Sequence, residues 1–370
     1  MISRVLLALG LAVLMVITGV TSYVFLGSRT SKIAAPPQNP VAATPRAFTL
    51  PGTLYVAQDG AIYSLSAGRF HQLTPEAGWM QPSLYPDGSK LLAVKRSSYY
   101  SDVYILTKFG QVIKRVTNNA GPPRNTDTSV KHWSFYPRLA GDGKTMYMSY
   151  DDPKYGYEVD LSVWSMPING NIRQGHLWTV SNGYSGGDMQ PVPTRSGAVI
   201  YTKYLYGSDT KLGSQIWLTS AAKSRGKPLT TEGAACAQPA LSPNGKQVAM
   251  ICTYGKQTSR LVVASFNGSS FGPLRTLISD QMVAQPTWAP DGSGIAYLAP
   301  AVGAGPFQLW FLPSAAYAPP APSPSPEVTP GGPVSNPSAS PSPEAPLVVK
   351  PIQVTTNLGF DATSAMAWRL

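Results

Sequence analysis

The sequence contains little of what most catalytic and metal sites require. Only 13% of its 370 residues are charged, and it has three histidines. No two of these histidines have the spacing of metal ligands, and each is interpreted as a surface or turn residue: His71, His132 and His176. No catalytic constellation is recognisable. These absences argue against an enzyme, and we expect no metal and no cofactor.

Two matches to the G-x-S-x-G motif of serine hydrolases are interpreted as accidental. A nucleophile elbow has a strand before its serine and a helix after it. The matches, at 183–187 and 268–272, lie instead in turns between predicted strands, with no helical pattern following. The acidic residues at 151, 152, 158 and 160 could offer oxygens to calcium, but such a loop is usually solvated.

The overall composition favours an all-β protein with many tight turns. The chain has 34 glycines and 36 prolines, which give little support to long helices. Its formal net charge is +11, so an anionic partner is plausible. The basic residues are scattered, however, and no run resembles a nucleic-acid-binding patch. We therefore expect no nucleic-acid partner.

The first 27 residues predict a membrane segment. Met1–Arg4 is positive, and the apolar stretch 5–26 is long enough to cross a bilayer. Signal-peptide cores are usually shorter, and no cysteine follows the stretch, which excludes the lipoprotein route. We predict a signal anchor over 1–27 and a Pro/Ala-rich linker over 28–51, with a cleaved signal peptide as the alternative. Both place the remaining chain outside the cytoplasm, either tethered to the cell membrane by a single pass or secreted.

A repeated unit determines the predicted fold. It consists of a Gln-Pro pair or its equivalent, a short strand, a turn of the Pro-Asp-Gly type and three further strands. Asp-Gly and Asn-Gly supply the positive φ that a tight hairpin turn demands. Successive units begin roughly 47 to 55 residues apart, which is the spacing of propeller blades. The units start at Gln81, Tyr136, Gln190, Gln238 and Gln285.

The two ends of the chain supply a sixth unit. The last ten residues, DATSAMAWRL, read as a first strand, and residues 52–78 read as the second, third and fourth strands. Placing both ends in one blade closes a six-bladed β-propeller of four-stranded blades over 52–370 and removes exposed sheet edges. A Pro/Ser-rich segment at 313–347 interrupts the fifth blade between its third and fourth strands. Its composition predicts a disordered insertion.

The repeat resembles that of TolB-type propellers. The resemblance rests on the Gln-Pro, Pro-Asp-Gly-Lys and aliphatic-aromatic segments and covers about residues 52–370, apart from the insertion. Two turns depart from the pattern, at 141–143 and 195–197. The amino-terminal domain of TolB itself is absent, so a role in its transport complex is not implied. The resemblance implies binding and scaffolding, although similar repeats also occur in lyases and as accessory domains of peptidases.

The loops predict a partner-binding face. In a propeller, loops that join the fourth strand of one blade to the first strand of the next share a face with the second-to-third-strand loops. Here those loops concentrate aromatic and basic residues, a composition typical of recognition sites. The alternative for each ring is packing beneath its own loop. The predicted residues are Trp79, Tyr99, Tyr100, Arg124, Lys131, His132, Trp133, Tyr155, Tyr157, Tyr184, Tyr204 and Tyr206.

Two further sets of residues have predicted roles. The glutamines that begin the repeats, Gln81, Gln190, Gln238 and Gln285, should lie near the central channel and hydrogen-bond the neighbouring blade, with small-ligand contact as the alternative. Cys236 and Cys252 flank one hairpin and fall opposite each other when counted outward from its turn. In an oxidising compartment they should form a structural disulfide; two buried free thiols are the alternative.

Together these observations predict a membrane-tethered extracytoplasmic propeller that binds a protein or peptide at the cell envelope. The alternative is a carbohydrate- or cell-wall-binding module, in which flat tyrosines stack on sugars. A propeller lyase or a peptidase accessory domain fits less well. A closed ring requires no dimer, so we expect a monomer.

Overall fold

A computed structural model describes residues 48–122, 127–154, 158–255, 258–301, 305–317 and 349–370. The predicted membrane segment and all but the last few linker residues lie outside this part of the chain, as does most of the predicted insertion. Among the described residues there is no helix with the length and apolarity to span a membrane.

The described strands form six antiparallel sheets of four strands each. The blades are numbered from the sheet that begins at Trp79, and the sheet that contains both ends of the described chain is numbered last. Blade 1 contains β4 (Trp79–Leu84), β5 (Lys90–Arg96), β6 (Ser101–Thr107) and β7 (Val112–Arg115); blade 2 contains β8 (Ser134–Leu139), β9 (Thr145–Tyr150), β10 (Ser162–Pro167) and β11 (His176–Leu177); blade 3 contains β12 (Asp188–Pro193), β13 (Val199–Tyr206), β14 (Leu212–Thr219) and β15 (Lys227–Pro228).

The remaining three sheets complete the ring. Blade 4 contains β16 (Cys236–Leu241), β17 (Gln247–Cys252), β18 (Arg260–Ser265) and β19 (Arg275–Ile278); blade 5 contains β20 (Ala284–Trp288), β21 (Gly294–Pro300), β22 (Phe307–Pro313) and β23 (Ile352–Gln353); blade 6 contains β24 (Ala367–Arg369), β1 (Thr53–Gln58), β2 (Ala61–Ser66) and β3 (Arg69–Gln72). The helical elements of the described chain are short 3₁₀ turns: Thr128–Val130, Ile172–Gln174, Glu232–Ala234 and Ser314–Ala316.

Blade 6 joins the two ends of the propeller, as the sequence predicts. The last strand pairs antiparallel with β1, with Leu54 opposite Trp368. The Trp368 indole donates a hydrogen bond of 2.7 Å to the Pro51 carbonyl, and its ring meets Phe311 of blade 5 at 6.0 Å. This closure leaves β1 without a free edge.

The structure places the start of the propeller and the start of the insertion at other residues than the sequence predicts. Phe48, expected in the linker, stacks on Phe311 at 5.1 Å, so the packed part of the chain begins before residue 52. At the start of the predicted insertion, Tyr317 packs edge-on against Trp288 at 6.0 Å. The Tyr317 carbonyl also accepts a 2.6 Å bond from Arg275. Residues 313–317 therefore belong to blade 5.

The core lies between adjacent blades. Leu92 and Val103 of blade 1 pack with Met146 and Met148 of blade 2, and all four side chains are fully buried. Equivalent clusters join the other blades. The strands bury both of their faces, which is why they read as apolar runs and not as strict alternation.

The two characteristic residues of each hairpin turn, the Gly and the Asp or Asn before it, have different structural roles. Gly88, Gly143, Gly245 and Gly292 take the positive φ. The preceding Asp or Asn does not, so the glycine supplies the positive φ that the sequence predicts for these turns. The Asp or Asn side chain instead accepts a hydrogen bond from the residue two positions on, as Asp87 does from Ser89 at 3.0 Å and Asn244 from Lys246 at 2.9 Å. This bond is the Asx turn that these residues favour.

The cysteines are confirmed as a disulfide. Cys236 and Cys252 lie opposite each other on β16 and β17, with a Cα–Cα distance of 4.0 Å. Both are fully buried. The bond joins the first two strands of blade 4 where β16 begins and β17 ends, which is the end that carries the second-to-third-strand loop.

Candidate functional site

The Gln-Pro positions form a ring of hydrogen bonds around the central channel. Each begins a β-bulge, and Gln81, Tyr136, Gln190, Gln238 and Gln285 have φ between 49° and 58°. This left-handed conformation turns the backbone N–H away from its own sheet, and the following proline has no N–H to leave unpaired. The hydrogen bonds between the first two strands of the blade are thus interrupted without leaving an unpaired backbone N–H.

The freed N–H groups are taken up by neighbouring blades. The Gln81 side-chain oxygen accepts from Tyr136 N at 2.7 Å, Gln190 from Gln238 N at 2.9 Å and Gln238 from Gln285 N at 2.6 Å. Blade 2 has Tyr136 in place of the glutamine and so lacks a carboxamide. The Ser149 hydroxyl of the same blade accepts from Gln190 N instead, at 3.2 Å. In blade 6, Ser364 accepts from Gln81 N at 2.6 Å. The glutamines therefore join the blades.

We call the face that carries the fourth-to-first-strand and second-to-third-strand loops the upper face, and the opposite one the lower face. On the upper face, Arg96, Tyr99, Lys131, Trp133 and Phe135 form what we call the cation–aromatic cluster. The Arg96 guanidinium lies 5.7 Å above the Trp133 ring, and Lys131 lies 5.1 Å above Tyr99. Trp133 stacks on Phe135 at 5.8 Å with their planes 12° apart. The cluster brings blades 1 and 2 together.

A buried polar network holds the loop that presents Lys131 and Trp133. Asn119 donates to the Ser101 carbonyl at 2.7 Å and to the Ser134 hydroxyl at 2.6 Å. Its own N–H is bound by Asp102 at 2.9 Å, which also pairs with Arg115 at 2.7 Å. Burial raises the pKa of Asp102 although these hydrogen bonds and Arg115 oppose the change. The loop is therefore anchored from below.

Asp151 organises the other side of this loop. Its carboxylate accepts from Trp133 N at 2.8 Å and from the His132 ring at 2.9 Å, and it lies 3.4 Å from the Lys154 ammonium. Lys154 also donates to the Lys131 carbonyl. The hydrogen bond to Asp151 raises the pKa of His132, with burial opposing. Asp151 therefore fixes the position of the Trp133 backbone.

The predicted partner-binding residues divide by exposure. Tyr99, Tyr184 and Tyr206 are exposed by 57%, 76% and 48%, whereas Tyr100, Lys131, His132, Trp133 and Tyr204 are partly buried. Trp79 is only 3% exposed and packs edge-on against Tyr104 at 5.2 Å. Because the Trp79 ring lies in the core, its assignment to an exposed surface is corrected. Arg124, Tyr155 and Tyr157 lie outside the described residues.

Tyr184 and Tyr206 form a second group, on blade 3. The Tyr206 hydroxyl donates to the Tyr184 carbonyl at 3.0 Å. The loop beneath is fixed by Asp160, whose carboxylate accepts from the backbone N–H of Tyr184 at 2.7 Å, Ser185 at 3.0 Å and Gly186 at 2.8 Å. Three successive backbone N–H groups thus bind one anion, and that anion is the Asp160 carboxylate of the protein itself.

The same loop contains the first G-x-S-x-G match, and its serine has a structural environment. Ser185 is 4% exposed and donates to the Asn182 carbonyl at 2.7 Å. Gly187 has φ +88° and a Cβ there would lie 2.0 Å from the Leu161 carbonyl, so glycine is required by the backbone contact with blade 2. In the second match, Ser270 bonds within its own turn to Asn267. No group of three His, Cys, Asp or Glu side chains among the described residues could hold a metal.

Sequence reasoning missed Arg96 and Phe135. Arg96 is the last residue of β5, directly before the upper loop, so counting the strand ends together with the loops would have found it. Phe135 belongs to β8, and only the stacking of Trp133 on it makes it part of the surface. A partly buried Arg138 near the central channel was also missed; in the other blades this position is small or aliphatic.

Comparison with known proteins agrees with the fold. No protein-family profile matches the sequence, and no curated protein matches it either. Among solved structures, TolB from Acinetobacter baumannii is similar with a TM-score of 0.53 and 18% identity over 71% of this chain. A putative TolB from Agrobacterium tumefaciens gives 0.49 and 15% over 71% of this chain and 84% of its own.

A hydrazine synthase from Kuenenia stuttgartiensis has a TM-score of 0.52 at 11% identity, over 72% of this chain and 43% of that protein. The chain spans 61% of the length of the Acinetobacter TolB. The described part of the chain is thus a TolB-like six-bladed β-propeller. Likeness at these identities establishes the fold alone.

Proposed function

We propose that this chain is a binding module that recognises a protein or peptide partner with acidic residues through the cation–aromatic cluster. The observation that carries the proposal is the placement of two cations over aromatic rings on one face. Arg96 is exposed and forms no ion pair within the described chain, so a partner can reach its charge. Arginine and large aromatic residues dominate the binding energy of protein interfaces.

The contacts that hold Trp133 in place support this function. Trp133 is held by Asp151 through its backbone and by Phe135 through its ring. A ring that is already ordered loses little conformational entropy when a partner binds. Because the net charge is +11, an acidic partner would also be attracted over a distance.

The test uses two variants with the same chemistry on opposite faces. Arg96→Gln/Tyr99→Ala alters the cation–aromatic cluster. Lys108→Gln/Phe109→Ala alters an exposed pair on the lower face, in which Lys108 lies 5.1 Å above Phe109. The full chain and both variants would be cross-linked in cells, and captured proteins identified by mass spectrometry. A partner that is retained by the lower-face variant and lost from the cluster variant supports the proposal, and purified components should then reproduce the loss.

Equal capture by all three proteins contradicts the use of this face. An effect of similar size from the lower-face variant would mean that general surface charge, and not the cluster, controls binding. Raising the salt concentration should weaken the specific complex, since part of its attraction is electrostatic.

We also propose an extracytoplasmic, membrane-tethered location. It is supported by the apolar stretch 5–26 and by a buried disulfide, which persists in oxidising compartments. Cell fractionation with protease treatment of intact cells would test it. A propeller that is found reduced inside the cytoplasm contradicts this location.

Carbohydrate binding is the second candidate. It is favoured by Tyr99, Tyr184 and Tyr206, whose rings are exposed and could stack on sugars. Pull-down with purified cell-wall fragments distinguishes it. Loss of fragment binding on Tyr184→Ala/Tyr206→Ala, without loss of any protein partner, would favour the carbohydrate.

A further inference from the structure

The lower end of the central channel differs from the rest of the ring. The third residue of each Gln-Pro unit follows the bulge near the channel. In five blades this residue is small or aliphatic: Ser83, Val192, Ala240, Thr287 and Ala367. In blade 2 it is Arg138. One long cation therefore occupies a position that the repeat otherwise fills with short side chains.

Arg138 lies where two cavities meet. One is a narrow channel space of about 20 Å³ that is also bordered by Tyr136, Gln190 and Gln238. The other, which we call the lower funnel, has a volume of about 400 Å³ and is lined by residues of all six blades. The two cavities also share Val192, Pro239, Pro286, Thr287 and Met366. A ligand in the lower funnel can therefore reach the guanidinium directly.

The wall of the lower funnel is apolar. The residue that follows the short position is large in most blades, and the wall is completed by prolines. These wall residues include Leu84, Leu139, Leu241, Trp288 and Trp368. A cavity of this size is in the range of small-molecule sites, which combine an apolar lining with a few placed polar groups.

Among the described residues, none is a partner for the charge of Arg138. It takes part in none of the five ion pairs of the described chain, and no hydrogen bond from its guanidinium is formed to a described residue. Burial lowers the pKa of Arg138 to about 10, so it remains charged at neutral pH. A partly buried cation without a partner is costly, and an anion that entered the site would stabilise it.

Two hydrogen bonds cross the upper end of the channel. The Tyr136 hydroxyl donates to the Thr363 carbonyl at 3.2 Å, reaching past blade 1 to the segment before blade 6. Gln285 donates to the neighbouring Ala362 carbonyl at 2.9 Å. The lower funnel is therefore the wider approach to Arg138, on the side opposite the cation–aromatic cluster.

We infer that the lower funnel binds a small apolar carboxylate, with its anionic group paired to Arg138 and its body against the leucine, proline and tryptophan wall. A planar guanidinium matches a carboxylate with two parallel hydrogen bonds. Two sources share this chemistry: a medium-chain fatty acid and the carboxyl terminus of an apolar peptide. The site is independent of the upper-face function.

The test is calorimetric titration of the full chain with matched ligands. Octanoate is compared with 1-octanol, and N-acetyl-Leu-Leu as the free acid with its carboxyl-terminal amide. At least one acid should bind, and its uncharged counterpart should bind roughly 10- to 100-fold more weakly, as loss of a charged hydrogen bond implies. The acid that binds more tightly identifies the source.

Substitutions test whether Arg138 is the residue that pairs with the carboxylate. Arg138→Gln should weaken the acid by a similar factor, and Arg138→Lys should weaken it less. Arg69→Gln, an exposed arginine on the outer strand of blade 6, is the matched control and should bind like the unaltered chain. Thermal unfolding of each variant verifies that it is folded.

Three results overturn the inference: no acid binds the unaltered chain, the alcohol and amide bind as tightly as the acids, or Arg138→Gln binds normally. The first two need no variant, so the inference remains testable even if Arg138→Gln does not fold.

Discussion

At the scale of single residues, the upper face depends on buried carboxylates with assigned partners. Asp102, Asp151 and Asp188 are each exposed by 1% or less. Asp102 holds a loop backbone and Arg115, Asp151 holds the Trp133 backbone, and Asp188 pairs with Lys203 at 3.1 Å. These groups fix loop positions. Burial raises the pKa of Asp102 and of Asp188, so the titration of these two should be visible as pH-dependent stability.

The first prediction concerns His132. Its pKa is raised by the hydrogen bond to Asp151, so the imidazolium stabilises the fold fully below about pH 6.5. This contribution disappears as the pH rises through the raised value. In denaturant unfolding between pH 5 and 9, His132→Gln should lower stability by about 1 kcal/mol at the acidic end and show less dependence on pH. His71→Gln, at an exposed site, should leave the profile unchanged; a His132→Gln profile parallel to the wild type would contradict the assignment.

The second prediction concerns Lys203 and Asp188. Lys203→Met leaves a fully buried carboxylate without its cation, which should lower the free energy of unfolding by about 3 kcal/mol at pH 8. Burial raises the pKa of Asp188 to about 6, so stability is lost as the pH rises from about 4 through 6. The deficit of Lys203→Met should therefore shrink at pH 5.

The control for this experiment is Lys211→Met. Lys211 pairs with Asp209 at 3.3 Å, but both side chains are more than half exposed, and exposed pairs contribute little. Chemical unfolding at both pH values compares the two variants. A Lys203→Met variant as stable as Lys211→Met at pH 8 would show that Asp188 does not need its cation.

At the scale of strands and turns, the repeat is explained by two hydrogen bonds. One is the Gln ring. The other joins the third and fourth strands, where a threonine hydroxyl accepts the N–H of the third strand. It measures 2.8 to 3.0 Å from Thr74, Thr117, Thr179, Thr230 and Thr355. The Thr at the end of five of the six units therefore has a structural role; blade 4 has Ser279 after its fourth strand instead.

The third prediction tests the Gln ring. Gln238→Ala removes the acceptor for Gln285 N, a residue that is only 4% exposed. Leaving that N–H unpaired should lower the free energy of unfolding by about 1–3 kcal/mol. Gln247→Ala, at the start of β17, removes no side-chain hydrogen bond and should change stability by about 0.5 kcal/mol or less. Equal stability of the two variants in urea titrations would mean that the ring contributes nothing measurable.

Strands, hairpins and blade count follow from the sequence because their determinants are local. A glycine with positive φ and an Asp or Asn that accepts an N–H lie within a few residues of each other. The pairing of Cys236 with Cys252 also follows, because the turn between β16 and β17 sets which residues lie opposite each other. The burial of Trp79 does not, because its environment is Tyr104, which is distant in the sequence.

At the scale of the whole molecule, closure of the ring should control stability. Trp368→Ala removes a 92% buried ring that contacts Phe311 and bonds to Pro51. We expect a loss of about 3–5 kcal/mol and a lower midpoint of thermal unfolding. Leu370→Ala, 70% exposed, should have little effect. If Trp368→Ala unfolds like the wild type, pairing of the chain ends is not what holds the ring closed.

The sequence by itself determined the number of blades, their turns, the joining of both ends in one blade and the disulfide. The blades and turns depend on a short-range spacing that recurs along the chain, the disulfide on the register of one hairpin, and the joining of the ends on the incomplete unit at each end. Only the tertiary structure decided which aromatic rings are exposed, which cations lie over them and that Arg138 stands unpaired at the channel. Those properties arise where loops and strands from different blades meet, and no spacing within one repeat encodes the distance between neighbours.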